Sequence, residues 1–421
     1  MRKADGLFLF MDLLLIAIFI EAVFPPVTLL ANPMVINLLC LIAWCVLSFL
    51  RDPSFYLNIE KNIRVLYPVF FLLISIIWPY ICGNGIIGNR YASLALLPMG
   101  YVIFNYYDKH GQLKRIKRVL CVAGVFASIT FVRTLIALIE DPRICRTIKS
   151  EGEYTEALYR QGIAGYSFVY FVSICAIITL FVAIKERHTK AFVPFLCTYG
   201  LMSYFVLKSN YVTALLVVVT CSVILLFVEI INRKKFGVIL LLSALFVFAV
   251  VYHKDIISTF AFLIPKRIAD VIVVNNNQSV LESIINEFMY DRLPTLEKSI
   301  EAFADNPFGG LVFNTKISFS NGHLEGFGQH SHIIDTFALY GTFLGVFNII
   351  ILSRPFKNNH GKIIKENISL TLAIAVAMIF VLLFNNSTDA IALALTIIYP
   401  LARDSYSHKD SVCRRRERHR R

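Results

Sequence analysis

The sequence predicts an all-α, polytopic integral membrane protein of about twelve transmembrane helices, with one large external loop containing short amphipathic helices. Three observations predict it. Hydrophobic residues fill 57% of the 421 positions and charged residues only 16%, against about 25% charged in an average soluble domain. The apolar residues gather in runs of about 16–22, each able to cross a ~30 Å hydrocarbon layer as a helix. The Lys and Arg residues, 41 against 28 Asp and Glu, are sorted between alternate connections as bilayers sort them. The net charge of +13 is therefore an orientation signal, and nucleic acid is excluded as a partner.

The first run, 7–24, follows Met1-Arg2-Lys3. That start resembles a signal peptide, but Asp12 and Glu21 interrupt the run and no small-x-small site follows, so it reads as an uncleaved helix. Further runs cover 34–50, 65–82, 88–107, 119–139, 163–184, 191–207, 211–231 and 236–252, and the last three cover 333–352, 367–384 and 388–402. The chain thus divides into nine spans over 1–252, an external loop over 253–332, three spans over 333–403 and a basic tail over 404–421. An even number of spans puts both termini on one side. Basic residues concentrate there, ending in Arg414-Arg415-Arg416-Glu417-Arg418-His419-Arg420-Arg421, which makes that side cytoplasmic. The tail reads as a topology anchor, with contact to lipid headgroups as the alternative.

Most connections are short, and Lys208-Ser209-Asn210 nearly fuses two spans. The exception is 253–332; loops of that length are usually functional or disordered. Apolar pairs such as Ile284-Ile285 and Phe288-Met289 argue against disorder. Within it a short amphipathic helix is expected to open at Pro294, which suits the first helical position. It continues through Leu296, Ile300 and Phe303 and stops at Asn306-Pro307. A second external loop, 140–162, carries Arg143, Arg146, Lys149 and Arg160. Most of the nine Cys lie inside spans; Cys82 and Cys145 fall outside, where pairing and buried free thiols are the two readings. There is no Cys-x-x-Cys spacing or His cluster, and no phosphate loop, nucleotide fingerprint or Ser-centred elbow. No metal and no cofactor is expected.

The chemistry on offer lies on the external side. Arg90, Arg133, Arg160, Arg267 and Arg292 fall near span ends, and His330 and His332 stand just before the tenth span. The planar, always charged guanidinium suits phosphate oxygens, which suggests a phosphate-bearing ligand at the membrane surface. For each Arg alone, a carboxylate partner or snorkelling to headgroups is the competing reading. Arg133 lies within a span, where ionisable groups usually face a cavity or a partner; it is a functional candidate, with Glu140 or Asp141 as a structural counter-ion the equal alternative. His330 at the mouth of a cavity can take a proton from a hydroxyl near neutral pH. Asp335 could orient an imidazole or cap the span.

The stretch from Gly326 to Gly341 resembles a motif of the O-antigen polymerase and ligase superfamily: a His followed by Ser or Asn, nine residues, a Gly and a small residue soon after. Here these are His330, Ser331, Gly341 and Gly345. Arg292-Leu293-Pro294 through Ala302-Phe303, then Asn306-Pro307-Phe308-Gly309-Gly310, looks like the family's Arg, short helix, Asn-Pro and Gly-rich turn. Lys208-Ser209-Asn210-Tyr211-Val212-Thr213 looks like an outer turn that often reads Ser-Arg in the family. The Arg is absent here, and Lys208 or Arg160 is expected to replace its charge.

The resemblance, which points to Wzy-type polymerases, implies a metal-independent glycosyltransferase of the bacterial inner membrane. It implies donor and acceptor oligosaccharides on undecaprenyl pyrophosphate, surrounding membrane lipid, and room for a chain-length regulator as a further partner. Under it, His330 is the general base and Arg292 the principal catalytic cation. Arg160, Arg267, Arg90 and Lys208 bind pyrophosphate, and Asp335 and His332 support the site. The ligase that moves finished glycan to lipid A core is one alternative. A flippase for lipid-linked oligosaccharide is another, but transporters of that type show two similar halves, and loop 253–332 has no counterpart in the first half.

Overall fold

A computed structural model describes residues 3–30, 33–57, 68–71, 73–74, 77, 81, 90–148, 152–232, 280–314, 319–320, 323–324, 326–328, 330–357, 367–386 and 388–406. Among the described residues the fold is helical, apart from a two-residue antiparallel ladder of Phe319–Ser320 with His323–Leu324. In chain order the principal helices are α1 (Lys3–Val23), α2 (Pro33–Arg51), α3 (Arg90–Lys109), α4 (Leu113–Glu140), α5 (Glu153–Arg160), α6 (Tyr166–Lys185), α7 (Phe192–Lys208) and α8 (Val212–Asn232). After these come α9 (Val280–Asp305), α10 (His332–Leu352), α11 (Ile368–Phe384) and α12, which opens with Asp389–Leu393, passes through a π-turn at Ala394–Ile398 and continues over 399–406.

Five of these helices are long and apolar enough to cross a membrane: α1, α4, α6, α8 and α10 with the turn that follows it. Val35–Arg51, Phe192–Lys208 and Ile368–Phe384 are equally apolar but shorter. The exterior is apolar too. Phe10 is 62% exposed and Val125 59%, and on α4 Val122, Ile129, Val132 and Ile136 are exposed as well. An outer surface of this kind suits hydrocarbon rather than water. The expected span 236–252 lies outside the described residues, as do the tail beyond 406 and Arg267. Of 65–82 only scattered helical residues are described.

Polar contacts collect at the two ends of the bundle. At one end Asp12 accepts from Arg115 and Tyr107, at 2.9 and 2.7 Å, and Asp52 meets Lys109 and His110, both at 3.1 Å. There too Ser369 donates to Glu229 at 2.7 Å and Lys185 approaches the same carboxylate at 3.6 Å. At the other end Ser167 bonds Thr388 at 2.8 Å, and the His332 amide donates to the Asn385 carbonyl at 3.1 Å. Between the two ends the core is dominated by aliphatic and aromatic side chains, among them Trp44, Tyr106, Tyr170 and Phe181.

The structure corrects one expected boundary. Pro294 does not open a helix but sits inside the 26-residue α9. Leu281, Ile284, Ile285 and Phe288 repeat at helical spacing, and this upstream stripe carries the helix into Pro294; the missing amide removes one backbone bond without ending it. The stop at Asn306-Pro307 is as expected.

Candidate functional site

The first turn of α10 is built by its own sequence. Ser331 is the N-cap, extended at φ −127°, and its Oγ accepts the Ile334 amide at 3.1 Å. Asp335 returns the favour by accepting the Ser331 amide at 3.1 Å, the reciprocal logic of a capping box one residue further on. Its other oxygen accepts from Ser299 Oγ at 2.7 Å. Ser299 in turn accepts the Gly328 amide at 2.8 Å. Gly328 has no room for a side chain, since a Cβ there would collide with the Thr295 carbonyl. The segment bearing His330 is thus tied on one side to α9 and on the other to the cap of α10. Of the two roles proposed for Asp335, the geometry shows capping, extended by the brace to α9.

His330 is exposed at this mouth, whereas His332 is 5% exposed and its Nε2 lies 3.3 Å from Asn348 Nδ2. The two histidines therefore differ in kind: one faces the solvent, the other packs inside α10. Arg292 lies seven residues before Ser299 on α9, two turns and about 10 Å along the axis.

One helical span lower, α9 and α10 interlock again. Gly341 departs from helical geometry at φ 75°, ψ −172°, and the Asn306–Gly310 turn enters the break. Thr342 donates both its amide, at 2.7 Å, and its hydroxyl, at 2.6 Å, to the Pro307 carbonyl. Gly310, at φ 66°, lies against the Leu339–Tyr340 backbone. Gly345 makes room for the Phe337 ring, which stands edge-on to Phe303 at 5.6 Å. Beside this joint is an apolar cavity of about 880 Å³, lined by Ile74, Ile77, Phe308, Phe313, Tyr340 and Phe343 among others.

The other described candidates sit on other helices. Arg160 is exposed on α5, 3.7 Å from Glu156, an ordinary surface pair. Arg90 opens α3. Arg133 donates from Nη1 to the Gln161 carbonyl at 3.0 Å, so its contact is a backbone oxygen and not the expected Glu140 or Asp141. Lys208 ends α7 with its amine 5.6 Å from the Tyr204 ring centre. Beside Lys208, a further cation meets the Ser209-Asn210 turn, one the motif did not single out, Arg146. Its Nη2 donates to the Asn210 carbonyl at 2.8 Å, its guanidinium lies 5.1 Å from the Tyr211 ring, and Tyr211 donates to the Cys145 carbonyl at 3.0 Å. The concentration of Arg in 140–162 was the available signal.

Cys145 is a free thiol, 1% exposed, and burial, helped by Asp141, pushes it up to about 12. Losing the Arg146 hydrogen bond removes roughly 1.5–3 kcal/mol from this corner. Arg146→Ala is therefore expected to raise the maleimide labelling rate of Cys145, read by peptide mass spectrometry, by about tenfold or more. Unchanged labelling would mean that the corner is held by other contacts.

Among the described residues no three His, Cys, Asp or Glu side chains gather closely enough to hold a metal ion. No protein-family model, no curated protein and no solved structure matches this chain. Among the described residues, fold and site define a class: a mainly helical, membrane-embedded protein with a braced polar mouth, carrying His330, at an end of its helix bundle.

Proposed function

We propose that the protein is a Wzy-type polymerase of bacterial surface polysaccharide. In this reading it sits in the inner membrane with both termini cytoplasmic. It moves a growing glycan from undecaprenyl pyrophosphate to the next lipid-linked repeat unit at the periplasmic face. The observation that carries the reading is the contact of α9 and α10 at two levels: the residues from Ser299 to Gly345 that bear the family resemblance meet there, bracing the segment of the exposed His330 at one level and bordering an apolar cavity at the other.

The chemistry needs few parts. The acceptor hydroxyl oxygen attacks the anomeric carbon, the bond from that carbon to the phosphate oxygen breaks, and the pyrophosphate departs on its lipid carrier. His330 takes the hydroxyl proton. Arg292 on the adjoining helix meets the charge that develops on the leaving group, with Arg160, Arg267, Arg90 and Lys208 as further cations of the same external side. The cavity lined by Phe308 and Phe343 has the apolar character a polyprenyl chain requires. The membrane holds donor and acceptor in one plane, which lowers the positional cost of their encounter.

The test is the surface glycan profile of cells lacking the gene, with lipid-linked intermediates extracted alongside. Core carrying a single repeat, without a ladder, is the expected result. Core without repeats and long chains left on the carrier would replace this reading with the ligase; single repeats stranded on the carrier would replace it with the flippase.

A further inference from the structure

A second polar centre lies at the same end of the bundle, independent of glycosyl transfer. Glu21 near the end of α1, Asn37 near the start of α2 and Asp389 at the start of α12 converge. The Asn37 amide donates to Glu21 Oε2 at 2.7 Å and to Asp389 Oδ2 at 2.6 Å. Asn37 is 0% exposed and Glu21 6%; Asp389 is partly buried. Two carboxylates bound to one nitrogen are close neighbours, and two negative charges so placed in an apolar interior repel strongly. Among the described residues no Lys, Arg or His forms an ion pair with either acid.

A second observation stands beside the acids. The Asn37 side-chain carbonyl, Oδ1, is buried and has no hydrogen-bond partner. Asn37 has therefore spent its N–H donors on the two carboxylates while its acceptor is left empty in the same pocket. Buried acceptors are normally satisfied. One additional proton on a carboxyl resolves both problems: it removes a negative charge and supplies an O–H donor for Oδ1.

We propose that Glu21, Asn37 and Asp389 form a proton-binding site that holds one proton between its two carboxyl groups at neutral pH. The titratable groups that neighbouring elements bring to this end of the bundle are Tyr159 and Arg160 on α5, Tyr166 on α6, Arg133 on α4 and Arg90 at the start of α3. Arg133 is engaged with the Gln161 carbonyl and Arg160 with Glu156. Burial, and secondly the nearby Glu21, hold the Tyr159 hydroxyl above the usual phenol range. The neutral pair Ser167 and Thr388 adjoins Asp389. Loss of the proton would force apart the ends of α1 and α12, and α12 begins four residues beyond the Asn385 carbonyl that holds the His332 amide.

The test uses dicyclohexylcarbodiimide, an apolar reagent that modifies protonated carboxyls, on the purified full-length protein in lipid nanodiscs from about pH 6 to about pH 9. Peptide mass spectrometry should find Glu21 or Asp389 modified near neutral pH about tenfold more than the exposed Glu156, with modification falling as pH rises. Added sodium chloride should leave it unchanged. In Glu21→Gln the lone Asp389 is expected to lose its modification near neutral pH, because the repulsion that retains the proton is gone. No modification of either acid at the lowest pH, or a pH-independent level, would overturn the proposal. Protection by sodium would overturn it in favour of a metal-cation site. The wild-type titration decides by itself if the variant does not insert.

Discussion

On the proposed polymerase reading, His330→Ala is expected to reduce polymerisation by about 10²–10⁴-fold, the usual contribution of a positioned general base. Insertion and protein level should stay normal, because His330 is exposed and the cap of α10 is made by Ser331 and Asp335 without it. Turnover of lipid-linked repeat units in inverted or reconstituted vesicles, read beside the glycan ladder, measures the effect. Arg292→Ala should cost about 10²–10³-fold by removing stabilisation of the departing pyrophosphate. The double variant should be little worse than the worse single one, since groups acting in one step are not additive. His332→Ala is the informative comparison: its ring is buried against Asn348, so its loss should appear as about 1–3 kcal/mol of stability, with polymer made normally at permissive temperature. A normal ladder from His330→Ala at wild-type protein level would end the assignment of His330 as base.

Several of the described helices were readable because a continuous apolar run is a local property. The run 7–24 is α1, 191–207 is α7 and 367–384 is α11, each within a few residues. The cap of α10 was half readable, since Ser331 and Asp335 lie close in sequence, and one of the two roles offered for Asp335 is the one found. Its second partner, Ser299, is 36 positions away, beyond any local pattern. The same holds for the charges. Glu21 and Asp12 register in the sequence as interruptions of an apolar run, yet what settles each comes from elsewhere. Asp12 is met by Arg115, 103 positions on, and Glu21 shares Asn37 with Asp389, which is 352 positions from that Asn.

Long-range pairing also explains the misplacements. For Arg133 the counter-ion reading points to Glu140 and Asp141, about two turns further on, but its partner is a carbonyl in the following loop. Arg146 reads in the sequence only as one charge among several, and gains its place because the turn at Asn210, at φ 59°, presents a carbonyl to it. Pro294 misled for a different reason. Proline is compatible with both a helix start and a tolerated interior position, and the choice was made by the apolar stripe upstream of it.

Gly341→Ala is expected to be among the most destabilising single-methyl changes in the protein. At φ 75° an L side chain is strained whatever the space around it, at roughly 1–3 kcal/mol. Here there is no space either: a Cβ would strike the Phe308 carbonyl and crowd the Gly309 amide, and relieving such overpacking costs about another 1–3 kcal/mol. The neighbour cannot give way cheaply, because Thr342 holds the Pro307 carbonyl of the same turn with two hydrogen bonds and Gly310 is wedged against the Leu339–Tyr340 backbone. A total loss of about 2–6 kcal/mol should lower the melting temperature in detergent by several degrees. Gly345→Ala first meets the Phe337 ring, a side chain able to shift, and should lose less. Gly124→Ala, with nothing within 4 Å and a helical backbone, should be neutral or gain up to ~1 kcal/mol. Equal melting of Gly341→Ala and Gly124→Ala would mean that the Asn306–Gly310 turn does not dock at the kink. If Gly341→Ala instead loses polymerisation at a temperature where it remains folded, the docked turn contributes to the chemistry as well as to the fold, since it connects α9, which carries Arg292, to the helix that His330 precedes.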